Sequence, residues 1–377
     1  MPRVLIFAND NSTIYNFRRE LLDRLVGQGY QVTLALPPNA RNQDLREQGC
    51  DLVEIPVSRF GTNPAQEMAT LLAFIRVIRQ VKPDIVITYT VKPNIHGGLA
   101  AQVCGVPYIS TVTGLGSGFY SGDFMRRIAA TLQKLAFRRC SCVFFQNDAN
   151  RREFLRLGIV ARRTTVVPGS GVNLEMHALE PYTGGERGTR FITVSRIRHD
   201  KGFEELLTAI RYVCERRADV EFHVVGWFEE DSFRDEIAAM QLDYPLVIHG
   251  SVTQEQVHAL IAKSHCLVHP SHHEGLANVI LEASAAGVPC IASDIPGCRE
   301  AIDDEITGFL FPVKDSAALA KAIERFLSRP WSENRSMGFA ARRKVEVEFD
   351  REQVVDRYLA EIDRVLARSA RKVESEK

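Results

Sequence analysis

Glu274 and Glu282 bracket the stretch EGLANVILE, which reads as a polar loop turning into a helix near Ala277. An apolar run at 266–269 reads as the strand that leads into it. A helix that starts at a strand end presents unpaired N–H groups and about half a positive charge, an arrangement suited to phosphate. Gly275 permits close backbone approach there. The two carboxylates can accept hydrogen bonds from different hydroxyls of one ligand. Taken singly, they read equally as a solvated loop glutamate and a surface helix glutamate. A second set stands in VSRIRHDKGFEELLTAI (194–210), where Arg196 and Lys201 flank a short loop and Gly202 opens a helix. Arginine brings a planar fork of donors and lysine a point charge, so the pair can meet negative charge growing on a leaving oxygen. Alone, the two are a basic loop at a helix start.

The elements that must position these residues follow from periodicity. Short β-branched runs at 4–8, 32–36, 52–55, 85–89, 108–112, 143–146 and 165–167 alternate with helical patterns at 16–28, 65–81, 94–104, 124–139 and 150–157. The pattern restarts with runs at 191–195, 221–225, 246–249, 266–269, 290–292 and 308–311, with helices at 203–216, 232–240, 254–263 and 277–286. Such alternation predicts parallel sheets with crossover helices. The Gly-rich segment 168–190 reads as a linker, 351–366 as a last helix, and ARKVESEK (370–377) as a frayed tail. The expected class is α/β, with two doubly wound, Rossmann-like domains facing a central cleft at their strand C-terminal ends. The expected domains are 1–172, completed by a C-terminal helix at 351–377, and 173–350.

Composition narrows the function classes. The 377 residues are 45% hydrophobic and 25% charged with zero formal net charge, so two cores are affordable and no global field steers the chain to nucleic acid. The eight cysteines have no C-x-x-C spacing and read as small buried thiols suited to a reducing compartment. The first ten residues, MPRVLIFAND, hold too short an apolar run for a signal segment, and no run reaches the roughly 18 residues of a membrane span. A soluble protein that can still touch a membrane is expected. No D-x-D occurs, so a metal clamp of that type is not evident. Pro270 interrupts the cluster His269, His272, His273, which removes the helical spacing of a zinc site. No metal and no other cofactor is expected.

The block from 269 to 311 resembles the E-x7-E region of retaining glycosyltransferases of GT-B fold, the large GT4-type family. PSHHEG precedes the motif, and AAGVPCIASDIPGCREAIDDEITGFLF follows with G-x-P, Gly and Glu300 in order. The resemblance implies that Glu274 lies near the donor sugar and Glu282 binds the nucleotide ribose. It implies backbone donors at Gly275, Leu276, Ala277 and Asn278. It assigns the diphosphate to Arg196 and Lys201, and sets Gly250–Val252 against the base; Gly226 and Gly250 both line the cleft edge if the sheet is doubly wound. By themselves Gly226 and Gly250 are turns that end strand runs. Retention implies front-face attack without a protein nucleophile.

The resemblance is less complete in the first half. The stretch Asn9–Thr13, read as a loop after the first strand, lacks the glycines of many relatives. Thr113 occupies the place where many carry a histidine, so no histidine role transfers there. VKPNIHGGLAA (91–101), TVTGLGSGF (111–119) and FFQNDANRREF (144–154) look most like the bacterial subgroup that extends polyprenyl-diphosphate-linked sugars, N-acetylgalactosaminyltransferases of the PglA type. Asn16, Lys92, Asn94, His96, Thr113, Gly114 and Gly116 are the acceptor-side candidates, and Gly97, Gly98 and Gly118 also permit backbone approach. The subgroup implies a UDP-sugar donor, a lipid-linked saccharide acceptor, and a peripheral place on the cytoplasmic face of the inner membrane. GDFMRRIAATLQKLAFRRCSC (122–142) fits both a crossover helix and a basic helix on anionic lipid, with Arg126, Arg127, Lys134 and Arg138 as contacts. Two rival functions remain: a nucleotide-sugar epimerase, which needs no acceptor, and a nucleotide-sugar-binding regulator without turnover.

Overall fold

The computed structural model describes residues 1–39, 41–55, 63–114, 123–179 and 188–375. The chain forms two compact units, one of residues 1–170 with 352–377 and one of residues 171–351. In the first, β1 (Arg3–Phe7) leads through α1 (Asn11–Phe17) and α2 (Arg19–Gly27) to β2 (Gln31–Leu36). Then come α3 (Asn42–Glu47), β3 (Asp51–Glu54), α4 (Pro64–Val81), β4 (Ile85–Tyr89), α5 (Val91–Cys104) and β5 (Tyr108–Val112). The unit continues with α6 (Asp123–Phe137), β6 (Cys142–Phe145), α7 (Asp148–Arg156) and β7 (Thr164–Val166). The second unit begins with β8 (Thr189–Val194), α8 (Phe203–Cys214), β9 (Val220–Val225), α9 (Arg234–Asp243), β10 (Leu246–Gly250) and α10 (Gln254–Ala262). It ends with β11 (Cys266–His269), α11 (Asn278–Ala285), β12 (Cys290–Ser293), α12 (Pro296–Arg299), β13 (Gly308–Phe311), α13 (Ser316–Ser328) and α14 (Trp331–Glu348). The last helix, α15 (Arg351–Ser375), returns to the first unit.

Both sheets are parallel and doubly wound. Their orders are β3-β2-β1-β4-β5-β6-β7 and β10-β9-β8-β11-β12-β13, so strand order reverses beside β1 in one and beside β8 in the other. The central strands are apolar on both faces because helices cover both. Val4 and Ile6 of β1 enter one core with Leu22, Leu25, Val354 and Ile362, while Leu5 and Phe7 enter the other with Phe74, Ala100 and Phe137. Helix α15 belongs to the first of these cores. Its Tyr358 ring stacks on Phe144 at 4.3 Å, and its hydroxyl lies 2.6 Å from Thr111 Oγ1.

Several expectations are corrected. The residues read as loop 9–13 enter α1 at Asn11. The single helix expected at 16–28 breaks at Arg18, whose buried guanidinium turns over the Tyr89 ring at 4.8 Å. The tail is helical through Ser375 rather than frayed from 370. Helices α3, α12, α13 and α14 stand where no helix was expected. Gly97 and Gly98 do not face a ligand but lie within α5, where a Cβ would meet Thr88 Cγ2 at 2.8 Å and the Ala136 carbonyl oxygen at 3.0 Å. They let α5 lie close on the sheet and on α6.

Thr88 cannot yield to a new side chain, because its hydroxyl donates to Asn94 Oδ1 at 2.7 Å and lies 2.8 Å from Ser110 Oγ in the core. Gly97→Ala is therefore expected to destabilise the protein by about 1–3 kcal/mol through overpacking, despite alanine's helix-propensity advantage of about 1 kcal/mol. A thermal melt should show a lower midpoint; an unchanged or raised one contradicts this packing.

Candidate active site

The second unit gathers its candidate residues at the reversal of strand order, between the loops that leave β8 and β11. Such a reversal opens a crevice at the strand C-terminal ends, where these sheets bind ligands. The β8 loop carries Arg196, runs through a short 3-10 turn, His199–Lys201, and enters α8 at Gly202. Gly202 has φ +73°, and a Cβ there would lie 2.1 Å from the Pro270 carbonyl oxygen, so the two loops touch backbone to backbone. The His272 amide seals the contact by donating to the Asp200 carbonyl at 2.9 Å.

Across this seam Lys201 Nζ reaches Glu274 Oε1 at 2.6 Å, and both side chains are largely buried, at 14% and 17% exposure. His269 Nε2 lies 3.1 Å from the same oxygen. Burial alone would raise the Glu274 carboxyl. The Lys201 charge and the His269 hydrogen bond outweigh it and hold the carboxyl well below its ordinary range. Glu274 is thus an ionised acceptor, and Lys201 is a cation held in place by it. Gly297 of α12 supports the loop from behind, since a Cβ there would stand 2.7 Å from the Glu274 carbonyl oxygen.

Arg196 has a partner that the sequence reading missed. Its Nη1 donates to both Glu229 oxygens, at 2.9 and 2.6 Å, and Arg198 reaches the same carboxylate at 3.3 Å. Glu229 follows β9 beyond Gly226, whose hypothetical Cβ would fall 1.8 Å from the Ser195 carbonyl oxygen. Only glycine lets the β8 and β9 ends approach so closely. The Gly226 amide also donates to the Gly250 carbonyl at 2.9 Å, which aligns the end of β10. Val252 follows, half-buried against the core that holds Leu276 and Ala277.

Helix α11 starts without a side-chain cap at Ala277. Its first amides therefore rely on other partners. The Ala277 amide is engaged by the Gly297 carbonyl at 3.2 Å, so it is no free donor in this state. Gly275 and Leu276 are buried, and Asn278 Oδ1 is a buried acceptor with no partner among the described residues. Glu282 is not a surface residue. It is 6% exposed and accepts from Gln254 Nε2 at 3.2 Å. Burial pushes its carboxyl up to about 7 against the pull of Arg351 and the Gln254 bond. Gln254 is a second residue that the sequence reading missed.

In the first unit, strand order reverses between β1 and β4. There Thr90 Oγ1 donates to Asn9 Oδ1 at 2.8 Å, and Thr90 adopts φ +71°, a strained conformation for a β-branched residue. Lys92 and His96 of α5 converge on Glu67 of α4, each at 2.6 Å. Burial would raise the Glu67 carboxyl, but these two neighbours hold it below its ordinary value. Asn94 is not an acceptor-facing group. It is 3% exposed, and its amide donates to the Thr111 carbonyl at 2.8 Å while its oxygen accepts from Thr88. Thr113 and Gly114 lie half-buried just beyond β5, and Asn16 lies half-buried in α1. Gly116 and Gly118 fall outside the described residues. His272 pairs with Glu205 at 3.1 Å, so two of the three clustered histidines face carboxylates. Among the described residues no metal-ligating group of three comes together. All eight cysteines are free, six of them buried.

Residues 15–169 match the family model "Glycosyl transferase 4-like domain", and residues 183–344 match "Glycosyl transferases group 1". The chain belongs to the GT-B glycosyltransferases. One relative is the Campylobacter jejuni N,N'-diacetylbacillosaminyl-diphospho-undecaprenol alpha-1,3-N-acetylgalactosaminyltransferase, 24% identical over 97% of this chain and 99% of the relative. Another is an Escherichia coli UDP-Gal:alpha-D-GlcNAc-diphosphoundecaprenol alpha-1,3-galactosyltransferase, 27% identical over 69% of this chain and 70% of the relative. Among solved structures, Anabaena HepE in complex with UDP and glucose superposes with a TM-score of 0.79, covering 96% of this chain and 99% of that one at 18% identity. This likeness carries the fold of the glycosyltransferase.

The buried carboxyl of Glu282 makes stability depend on pH in a defined direction. At low pH the folded and unfolded chains both hold the proton. As pH rises past the ordinary 4.5, the unfolded chain releases its proton first, so stability falls until the folded carboxyl ionises near 7. The loss approaches about 3 kcal/mol. Denaturant unfolding of the free glycosyltransferase and of Glu282→Gln between these pH values should show the wild type losing this much relative to the variant. Parallel profiles contradict the assignment.

Proposed function

We propose that this glycosyltransferase is a retaining enzyme that moves a sugar, best read as N-acetylgalactosamine or a related hexose, from a UDP-sugar to a polyprenyl-diphosphate-linked saccharide. The observation that carries the reading is the Lys201–Glu274 contact, which sets a held cation and an ionised acceptor side by side at the strand reversal. The two relatives described above support the substrate classes, since their names state transfer to diphospho-undecaprenol-linked sugars and, for one, a UDP-sugar donor.

In this reading the donor diphosphate takes Lys201 and Arg196 from Glu274 and Glu229. The two cations then face an oxygen that gains charge as the sugar–phosphate bond breaks, where preorganised positive charge is most effective. Glu274, released from Lys201, accepts hydroxyls of the donor sugar. Glu282 accepts the ribose hydroxyls, which favour its charged form. The acceptor hydroxyl attacks the same face that the diphosphate leaves, and its proton passes to the departing phosphate oxygen. No protein nucleophile and no metal enter this scheme. The first unit supplies the acceptor side, with the Asn9–Thr90 and Glu67–Lys92–His96 contacts at its strand reversal.

Helix α6 supports a peripheral place on the cytoplasmic face of the inner membrane. Its sheet-facing side holds Ala130, Gln133, Ala136 and Phe137, whereas Ile128, Leu132 and Leu135 are 39%, 38% and 50% exposed. The outward stripe is flanked by exposed Arg127, Lys134 and Arg138, while Arg126 is tied to Glu153 at 3.0 Å. An apolar stripe with flanking cations suits an anionic lipid interface. No helix among the described residues is long and apolar enough to cross a membrane.

Lys201→Ala is expected to lower kcat by about 10²–10³, in line with loss of one preorganised charge. Near-normal kcat in a purified-enzyme assay with UDP-sugars and a polyprenyl-diphosphate-linked acceptor would exclude the charge role. Formation of an isomer from a UDP-sugar without acceptor would replace the reading with an epimerase. Tight UDP binding with no turnover of any UDP-sugar in a panel would favour a regulator. Leu132→Gln with Leu135→Gln should reduce flotation with phosphatidylglycerol vesicles while leaving UDP binding unchanged; undiminished flotation contradicts the role of α6.

A further inference from the structure

The first unit holds a cavity of about 410 Å³ lined by Pro107, Ser141, Arg162, Arg364, Arg368, Arg371 and neighbouring Val365 and Ser369. It lies at the opposite end of the strands from the strand reversal crevice. Pro107 and Ser141 immediately precede β5 and β6, and Arg162 stands two residues before β7, so these are strand N-terminal ends. None of its residues belongs to the donor or acceptor sets.

Its charge is one-sided. Among the described residues four guanidinium groups line the cavity and no carboxylate does. The acid that pairs with Arg364, Glu361, is buried, accepts two bonds from it and faces Arg163 at 3.7 Å. Arg162, Arg368 and Arg371 are exposed and have no acidic partner among the described residues. On α15 the three arginines 364, 368 and 371 share one face, where like charges at this spacing repel. The dipole of α15 favours cations on its last turns, but it does not account for Arg162, which reaches the same cavity from another element. With Arg364 committed to Glu361 and the Ser369 hydroxyl donating to the Val365 carbonyl at 3.1 Å, the guanidinium groups of Arg162, Arg368 and Arg371 and the Ser141 hydroxyl, all lining one cavity, supply the kind of donors that phosphate recognition uses.

We infer that this cavity is a second anion site that binds a phosphate or diphosphate group, either of a free solute or of a lipid headgroup. The inference stands apart from the proposed donor and acceptor chemistry. Isothermal titration of the full chain with inorganic diphosphate tests it, using Arg162→Gln/Arg368→Gln and, as a variant that keeps every arginine, Ser369→Glu. Both variants are expected to lose one diphosphate-binding event, or to bind there at least about tenfold more weakly, with UDP affinity unchanged. Phosphatidylglycerol vesicle flotation then separates the sources: a parallel loss of flotation assigns a lipid headgroup, and unchanged flotation assigns a free anion. Diphosphate binding of the same stoichiometry and affinity in wild type and both variants overturns the inference.

Discussion

A carboxylate removed from water is costly unless a charge meets it, and the second unit is organised around one such meeting. Glu274 and Lys201 come from loops 73 residues apart in sequence and touch at 2.6 Å. Their contact joins the exits of β8 and β11, the two neighbouring strands at which sheet order reverses. The surrounding glycines serve that contact. Gly202 admits Pro270, Gly297 admits the Glu274 backbone, and Gly226 admits Ser195, each at a distance that leaves no room for a Cβ. Replacing any of them would separate the loops before it altered a charged side chain.

Both cations at these strand ends are already paired in the free protein. Lys201 is neutralised by Glu274, and Arg196 by Glu229. In the proposed function a diphosphate, which carries more charge than either carboxylate, draws both cations away while the carboxylates turn to neutral hydroxyl donors. Glu282 follows a different logic. It is buried without an ion-pair partner at hydrogen-bond distance, so its carboxyl rises to about 7 and its charged form awaits a ligand that donates to it.

The alternating runs and the charged types of the β8 and β11 loops were legible because they are local properties of sequence. What escaped were partners set by tertiary contact. Glu229 lies 33 residues from Arg196, Gln254 lies 28 from Glu282, and Glu67 lies 29 from His96, and no local pattern marks those pairings. Glycines were ambiguous for the same reason: Gly97 and Gly226 look alike in sequence, yet one packs a helix and the other closes a strand end. Periodicity showed that α6 has an apolar stripe but not which way it faces. Helix α14 went unseen because its buried residues, Met337, Gly338, Ala341 and Val345 among them, include small ones that leave a weak apolar rhythm.

The central claim is that Glu274 holds Lys201 until a diphosphate takes it. A double-substitution cycle on UDP affinity tests this most directly, with Lys201→Met, Glu274→Gln and the two combined, measured by calorimetry. The account predicts that Lys201→Met weakens UDP at least about tenfold, that Glu274→Gln alone leaves UDP binding unchanged or tighter, and that the combination behaves as Lys201→Met does. UDP affinity that is indifferent to Lys201→Met, or that falls equally with Glu274→Gln alone, would contradict it.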